Sequence, residues 1–429
     1  MEWFCTAETS QGLSGQEIRT LLLQALEGRI LRRVLILPPD FTRYHSYAGQ
    51  ITSFCYRELT RRGCCVDVMP ALGTHAPVTR EEAEKMFPGI PYETLLVHRW
   101  REDVVALGEI PGAYLKEITE GCWEEPVRVE INRRVVSGEY DLILSVGQVV
   151  PHEVAGMANH AKNLFVGVGG SEMIQKSHMI GALYGLERIM GRDHTPVRAL
   201  FDYALQHFLS GVPVLFAETV CTADRTGVHV HGLFIGDTRK TLERAAALAR
   251  EKNLNVLERG LKKCVVYLEP GEYKSTWLGN KAVYRTRLAM EDQGELLILA
   301  PGVQRFGEDE AVDRLIRKYG YRGREEILRQ FRRPENRDLR ENMGAAAHLI
   351  HGSSDGRFQI AYAVSAISRA EIAAVGFQAA DYAEMAARYD PSALRPGWNT
   401  MPDGEEIYFI ANPALGLWAR REAYGALQP

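Results

Sequence analysis

The chain has little of what marks several large classes of protein. Its seven cysteines are an odd number, scattered with no CxxC pair, which excludes a disulfide framework and a zinc ribbon. No uncharged apolar run approaches the roughly 18 residues that a membrane span needs. Charge of one sign is not in excess: 51 lysines and arginines against 55 aspartates and glutamates leave a net charge of −4. A balance of that size recruits neither nucleic acid nor an anionic membrane. Internal repeats and low-complexity stretches are missing, and so are the Walker and GxGxxG fingerprints of nucleotide-binding loops. The start, Met1-Glu2-Trp3-Phe4 with Glu8 close behind, lacks the basic stretch of a signal peptide. The expectation is a soluble, cytoplasmic protein.

What is present is a chain of 429 residues, 46% hydrophobic and 25% charged. These are ordinary globular proportions, and the length suits two domains. Ser14 and Glu17 form a capping-box pattern ahead of Ile18, Leu21, Leu22, Ala25 and Leu26. The run RVLIL at 33–37 reads as a short buried strand closed by Pro38 and Pro39. A helix over 47–61, a strand at 65–69, a helix starting near Thr79 with Glu82 as box partner, and a strand at 94–97 follow. Residues 127–136 alternate, which suggests a locally antiparallel or mixed region, and 141–150 is a further buried run. Strand-like runs occupy 212–235, and 238–253 is an amphipathic helix.

A second strand–helix series starts near 264 with CVVYL. It continues with a helix around 276–290, the strand ELLILAPG, helices between 308 and 348, and the strands FQIAYAV and IYFIA. The alternation predicts an α/β fold: two α/β domains with mixed, largely parallel sheets. The boundary falls between 250 and 262, giving domains of 1–255 and 256–429, with an active-site cleft expected between them. Basic clusters at 57–62 and 327–340 alternate with acids on predicted helices and read as solvated faces.

Three polar turns each follow a predicted buried strand: Asp40-Phe41-Thr42-Arg43, Gly73-Thr74-His75 and Pro151-His152. In open α/β sheets ligands bind outside the carboxyl ends of strands, so the three turns point toward one crevice. Arginine offers a planar fork matched to a carboxylate or phosphate. Two histidines on separate loops suit acid/base work on opposite faces of a substrate, as a racemase requires. Any one of these residues alone is more simply a polar loop residue; the coincidence of three favours function.

The segment 152–178 adds His160, Lys162, the glycine turn at 167–170 and His178. The turn, followed by Ser171, has the look of a phosphate-cradling loop opening a helix. Lys162 is either a lysine of lowered pKa suited to covalent chemistry or a surface lysine. The histidines lack the i, i+4 spacing of a helical zinc motif. Two further pairs compete weakly as metal sites: His229 and His231 in an alternating strand, and His348 and His351 at a helix end.

These spacings resemble the nickel-pincer nucleotide-dependent lactate racemase family, most strongly over 35–180 and again near 277–303. The family's Asp-x-x-Arg falls on Asp40 and Arg43, and its GTH turn on Gly73-Thr74-His75. Its histidine, lysine ten residues on and histidine sixteen beyond fall on His152, Lys162 and His178. A lysine of the second domain corresponds to Lys281, in WLGNKAVYRTR. The resemblance implies that Lys162 carries a nickel-bound pyridinium dithio nucleotide through a thioamide bond, and that His178 is the protein ligand to nickel. It makes His75 and His152 the acid/base pair, and Arg43 and Lys281 the holders of the substrate carboxylate. Asp40, Thr42, Gly169 and Gly170 would line the cofactor.

The implied reaction is racemisation or epimerisation of a 2-hydroxy acid by hydride transfer, with cofactor-building enzymes as partners. Trp277 and Leu278 stand where the family's lactate enzyme has an aromatic–glutamine pair, which points to a substrate other than lactate. Asn159-His160-Ala161 replaces a glycine-rich stretch with an arginine, so His160 is either a pocket group or an incidental loop residue. Two rivals are a divalent-metal hydrolase using His75, His152 and His178, and a non-catalytic nucleotide-binding relative.

Overall fold

The computed structural model describes residues 2–224 and 226–425. It divides into two units, Met1–Tyr184 with Ile189–Asn253, and Gly185–Arg188 with Leu254–Pro429. The four-residue excursion of the second unit into the first's sequence has no signal in composition.

The first unit is built on strands β1 (Trp3–Thr6), β2 (Arg33–Leu37) and β3 (Cys65–Val68). After these come β4 (Val104–Ile110), β5 (Val127–Asn132), β6 (Leu142–Gln148), β7 (Val214–Asp224) and β8 (Gly227–Gly236). Six of them form one sheet in the order β1-β8-β7-β6-β2-β3. The neighbours β3, β2, β6 and β7 run parallel, whereas β7–β8 and β8–β1 are antiparallel. Parallel strands covered on both faces read as unbroken apolar runs; accordingly Val34, Leu35, Ile36 and Leu37 are all fully buried. Each such side chain contributes roughly 1.5–3 kcal/mol of burial.

Helix α1 (Gly15–Leu26) starts on the capping box read from the sequence. Glu17 N–H donates to Ser14 Oγ at 3.2 Å and Ser14 N–H to Glu17 Oε2 at 2.7 Å. Its apolar stripe joins helix α2 (Ala48–Arg61) on the core around β2. The basic cluster at the end of α2 is a solvated face, Arg61 and Arg62 both pairing with Glu58.

The strand expected at 94–97 is instead a 3-10 turn, Tyr92–Thr94, with one bridge from Leu95 to Val68. The strand that exists nearby is β4, which pairs antiparallel with β5; it accounts for the alternation over 127–136. Half-exposed on both faces, β4 carries too weak an apolar pattern to stand out in sequence.

The second unit holds β9 (Leu261–Tyr267), β10 (Met290–Leu299), β11 (Gln359–Val364), β12 (Gln378–Asp381), β13 (Gly397–Thr400) and β14 (Glu406–Ile410). They form a sheet ordered β12-β11-β10-β9-β14-β13, parallel except for the β13–β14 edge. The expected helix around 276–290 is two short pieces, Thr276–Gly279 and Lys281–Thr286. Both units are thus α/β with largely parallel sheets. No helix among the described residues is long and apolar enough to cross a membrane.

Candidate active site

Because β3, β2 and β6 are adjacent and parallel, the three turns that follow them emerge along one sheet edge. Asp40 caps the 3-10 helix Phe41–Ser46: its Oδ1 accepts from Thr42 N–H at 3.0 Å and from Thr42 Oγ1 at 2.5 Å. Its Oδ2 lies 2.5 Å from His75 Nδ1. Burial alone would raise the Asp40 pKa, but His75, Thr42 and Arg43 outweigh it and hold the carboxyl at about 2. The turn before His75 needs Gly73 in a left-handed conformation (φ 57°), with its N–H donating to Gly167 O at 2.9 Å. That bond ties the β3 turn to the glycine segment after Lys162.

His152 is 4% exposed. Its Nδ1 accepts from the backbone N–H groups of Val154 (3.1 Å) and Ala155 (3.4 Å), while its Nε2 lies 3.7 Å from Glu153 Oε1.

Lys162 is half-buried and begins a π-helical turn, Asn163–Gly167. Asn163 anchors this turn to the ends of β2 and β6, donating to Leu37 O (3.1 Å) and Ser145 Oγ (2.9 Å). Loss of water and the nearby Arg43 guanidinium lower the Lys162 pKa to about 8, with Glu153 and Asp40 opposing and Arg198 adding to the fall. Asp40, Arg43, Glu153 and Lys162 are therefore one electrostatic neighbourhood.

His178 belongs to it as well, on helix α3 (Ser171–Tyr184). Burial, then Lys162, depress its pKa to about 4, so the ring is neutral at ordinary pH. Its Nδ1–H donates to Ile174 O at 2.7 Å, which leaves the Nε2 lone pair outward, the arrangement in which histidine ligates metals.

The glycine turn is not an open anion cradle. A Cβ on Gly169 would overlap the Phe165 carbonyl, and one on Gly170 would strike Glu130. Glu130 Oε2 accepts from Glu172 N–H at 3.2 Å, so the protein's own carboxylate already takes the start of α3. His98 seals the turn from behind. Its Nε2–H donates to Gly169 O at 3.0 Å, and Asn132 donates to its Nδ1 at 2.9 Å. Gly169 and Gly170 are close-packed against Phe165 and Glu130.

Sequence reasoning left His160 undecided, and it missed Glu218 and Arg198. His160 points inward: it is 1% exposed, with Nδ1 3.1 Å from Oε1 of the fully buried Glu218 and its ring 3.9 Å from that of Phe216. Asn159 and His160 both adopt left-handed φ (66° and 57°), rare for residues with a Cβ. Arg198, fully buried on helix α4 (Pro196–Phe208), braces the strained segment by donating to Asn159 O and Met157 O. No local sequence signal marks this network, because its members lie far apart in the chain.

The other candidates stand apart. His231 bonds Thr222 at 2.7 Å, and His229 pairs with Asp224 at 3.1 Å. A bulge at residue 231 breaks the register that would have aligned the two. In the second unit, Lys281 is buried, 3.9 Å from Glu272 and over the Tyr273 ring at 5.4 Å. Trp277 stacks on His348 at 4.1 Å, and Tyr321 reaches His348 Nε2 at 3.0 Å; His348 is thus a packing partner. Leu278 is half-buried, its N–H donating to Ser275 Oγ. No group of three His, Cys, Asp or Glu among the described residues could hold a metal ion, so the hydrolase reading finds no three-ligand site.

Fold and site define an α/β protein with a polar centre at the carboxyl edge of a parallel sheet. Residues 22–187 match the lactate racemase N-terminal domain, a stretch that contains each candidate residue of the first unit from Asp40 to His178. The fold is similar to that of a Thermotoga maritima protein, with TM-score 0.82 and 22% identity, covering 97% of this chain and 100% of that one. It is also similar to the lactate racemase apoprotein from Thermoanaerobacterium thermosaccharolyticum, with TM-score 0.65 and 15% identity, covering 95% and 93%. At these identities the likeness is one of fold. No curated protein matches the sequence.

Proposed function

We propose that the protein is a 2-hydroxy acid racemase or epimerase that works with a nickel-pincer nucleotide held covalently on Lys162. The observation that carries this reading is the pairing of a lysine of lowered pKa with a neutral histidine whose Nε2 lone pair is outward. A single imidazole donor fits a metal whose remaining ligands arrive with a bound group, and His178 would be that donor. A lysine with pKa near 8 is partly neutral at working pH and so suited to bond formation. When bound, the group supplies reversible uptake of hydride.

The chain's own residues would do the rest. Arg43 would bind the substrate carboxylate as a planar fork, with Lys281 the second candidate for it. His75 and His152 would serve the substrate hydroxyl, Asp40 would orient His75, and Asp40 with Thr42 would border the cofactor. Trp277 and Leu278 are the candidates for contact with the substrate's side chain. Leucine offers no amide donor there, which favours a longer or more apolar acid than lactate.

The test is co-expression with cofactor-building enzymes, followed by intact mass, peptide mapping and metal analysis. The expected result is an adduct on Lys162 with stoichiometric nickel, absent from Lys162→Ala, and interconversion of enantiomers in a screen of 2-hydroxy acids. Unmodified Lys162 with bound zinc would replace this reading with a metal hydrolase.

A further inference from the structure

The two candidate acid/base histidines are held by opposite means. His75 turns Nδ1 onto the Asp40 carboxylate, 2.5 Å away. A carboxylate accepts, so Nδ1 carries the ring proton and Nε2 keeps a lone pair. His152 turns Nδ1 onto two backbone N–H groups, at 3.1 and 3.4 Å. N–H groups donate, so here Nδ1 is the bare nitrogen and the proton sits on Nε2. A second proton on Nδ1 would set three N–H groups against one another at a side chain that is 5% exposed. Glu153 Oε1 lies 3.7 Å from its Nε2.

We propose that the two histidines are not interchangeable: His75, backed by Asp40, moves the proton, and His152 binds the substrate oxygen as a neutral hydrogen-bond donor. This division rests on the racemase reading above. In it the hydroxyl O–H bond breaks and its proton passes to His75 Nε2, giving an imidazolium whose Nδ1–H stays on Asp40. The electron pair of the α-carbon's C–H bond leaves as hydride to the acceptor proposed above. On return the hydride rejoins the α-carbon and the same proton goes back to oxygen.

His152 could supply a proton only by becoming an imidazolate, which is out of reach at working pH. The substrate oxygen therefore stays between the two rings in both directions. Inversion comes from a half-turn of the planar keto acid about its C=O axis, which keeps the oxygen in place, exchanges the positions of carboxylate and side chain, and presents the other face. A neutral histidine acting as an electrophile has precedent in enzymes that enolise carbonyl compounds.

The first experiment reads the tautomers directly, by 15N NMR of imidazole-labelled full-length chain without cofactor, with His75→Gln and His152→Gln assigning the signals. The expected spectrum at pH 8.5 shows His152 protonated on Nε2 and bare on Nδ1, and His75 as the reverse tautomer. His152 carrying its proton on Nδ1, or His75 carrying its proton on Nε2, overturns the proposal whether or not the protein is a racemase.

The second experiment uses cofactor-loaded enzyme. His152→Gln keeps an N–H donor and is expected to lose about 10- to 100-fold in kcat, equally in both directions, with the shape of the pH profile retained. His75→Gln is expected to lose about 10³-fold or more, the scale of a lost general base. Equal and complete loss in both variants would restore a two-base mechanism. An enzyme that loads cofactor but turns over no 2-hydroxy acid would fail the racemase reading and leave the NMR result standing.

Discussion

Two regions of the molecule bury cations under opposite terms. In the second unit Arg287, 5% exposed in its side chain, is enclosed by Glu187, Asp355 and the Ser353 carbonyl. Burial pulls its pKa down, but the two carboxylates outweigh that and hold it charged. Lys263 is treated likewise, with Glu295 and Glu405 each at 3.1 Å. In the first unit Lys162 loses water, and the pull of Glu153 and Asp40 does not make up for it. Among the described residues no acid lies within ion-pair distance of it, and Arg43 pushes its pKa further down. A buried cation with matched acids is structure; one left unmatched beside another cation is held ready to lose its proton.

The comparison is most severely tested by removing the matched cation. Arg287→Met should cost about 3 kcal/mol or more, because Glu187 and Asp355 are left facing each other without a counter-charge; urea unfolding monitored by circular dichroism measures it. A loss below about 1 kcal/mol would mean that the ion triad is no more than surface decoration.

Within the first unit, Glu218→Leu strips His160 of its buried partner and should cost about 2 kcal/mol. Slower adduct formation on Lys162 should accompany it, because the left-handed Asn159–His160 turn sets the lysine's backbone. Unchanged loading, followed by mass spectrometry over time, would separate the network from the cofactor.

The smallest effect is expected at Lys162 itself, and with the opposite sign. Lys162→Met should leave stability at pH 7 unchanged or raise it by about 1–2 kcal/mol, because burying the charged amine is a cost. Its folded pKa of about 8 lies below the ordinary 10.5. The unfolded chain therefore binds more protons between those values, and wild-type stability should rise with pH across that window by a component that the variant lacks. Reaction of Lys162 with an amine-acylating reagent should likewise climb through pH 8, read by peptide mapping. A Lys162 that reacts only near pH 10 would place it with the ordinary lysines.

Much of the first unit was legible because local rules and the global fold agree there. Both capping boxes, at Ser14–Glu17 and Thr79–Glu82, formed as read, since a box needs only four consecutive residues. The runs at 33–37 and 141–150 became adjacent parallel strands, and with them the shared edge of three turns. The family spacing from His152 to His178 needed residue types and counts alone.

Other features depend on partners distant in sequence. Strand β4 was invisible because its pairing with β5, not its own pattern, makes it a strand. The opening of helix α3 at Ser171 was read, but helix α4 was missed. The bulge at His231 broke an alternation that looked regular, and Glu130 occupied a helix start that looked open.

The sequence by itself determined the class of fold, the order in which the candidate residues occur, and their agreement with a known spacing, because periodicity and counting act over short stretches. Only the tertiary structure decided what each group is chemically. It set Nδ1 of His75 against a carboxylate and that of His152 against two backbone N–H groups, turned His160 inward to Glu218, and left Lys162 with no acid within ion-pair distance. Tautomer, burial and pKa are properties of neighbours, and for these residues the neighbours come from strands and helices scattered through the chain.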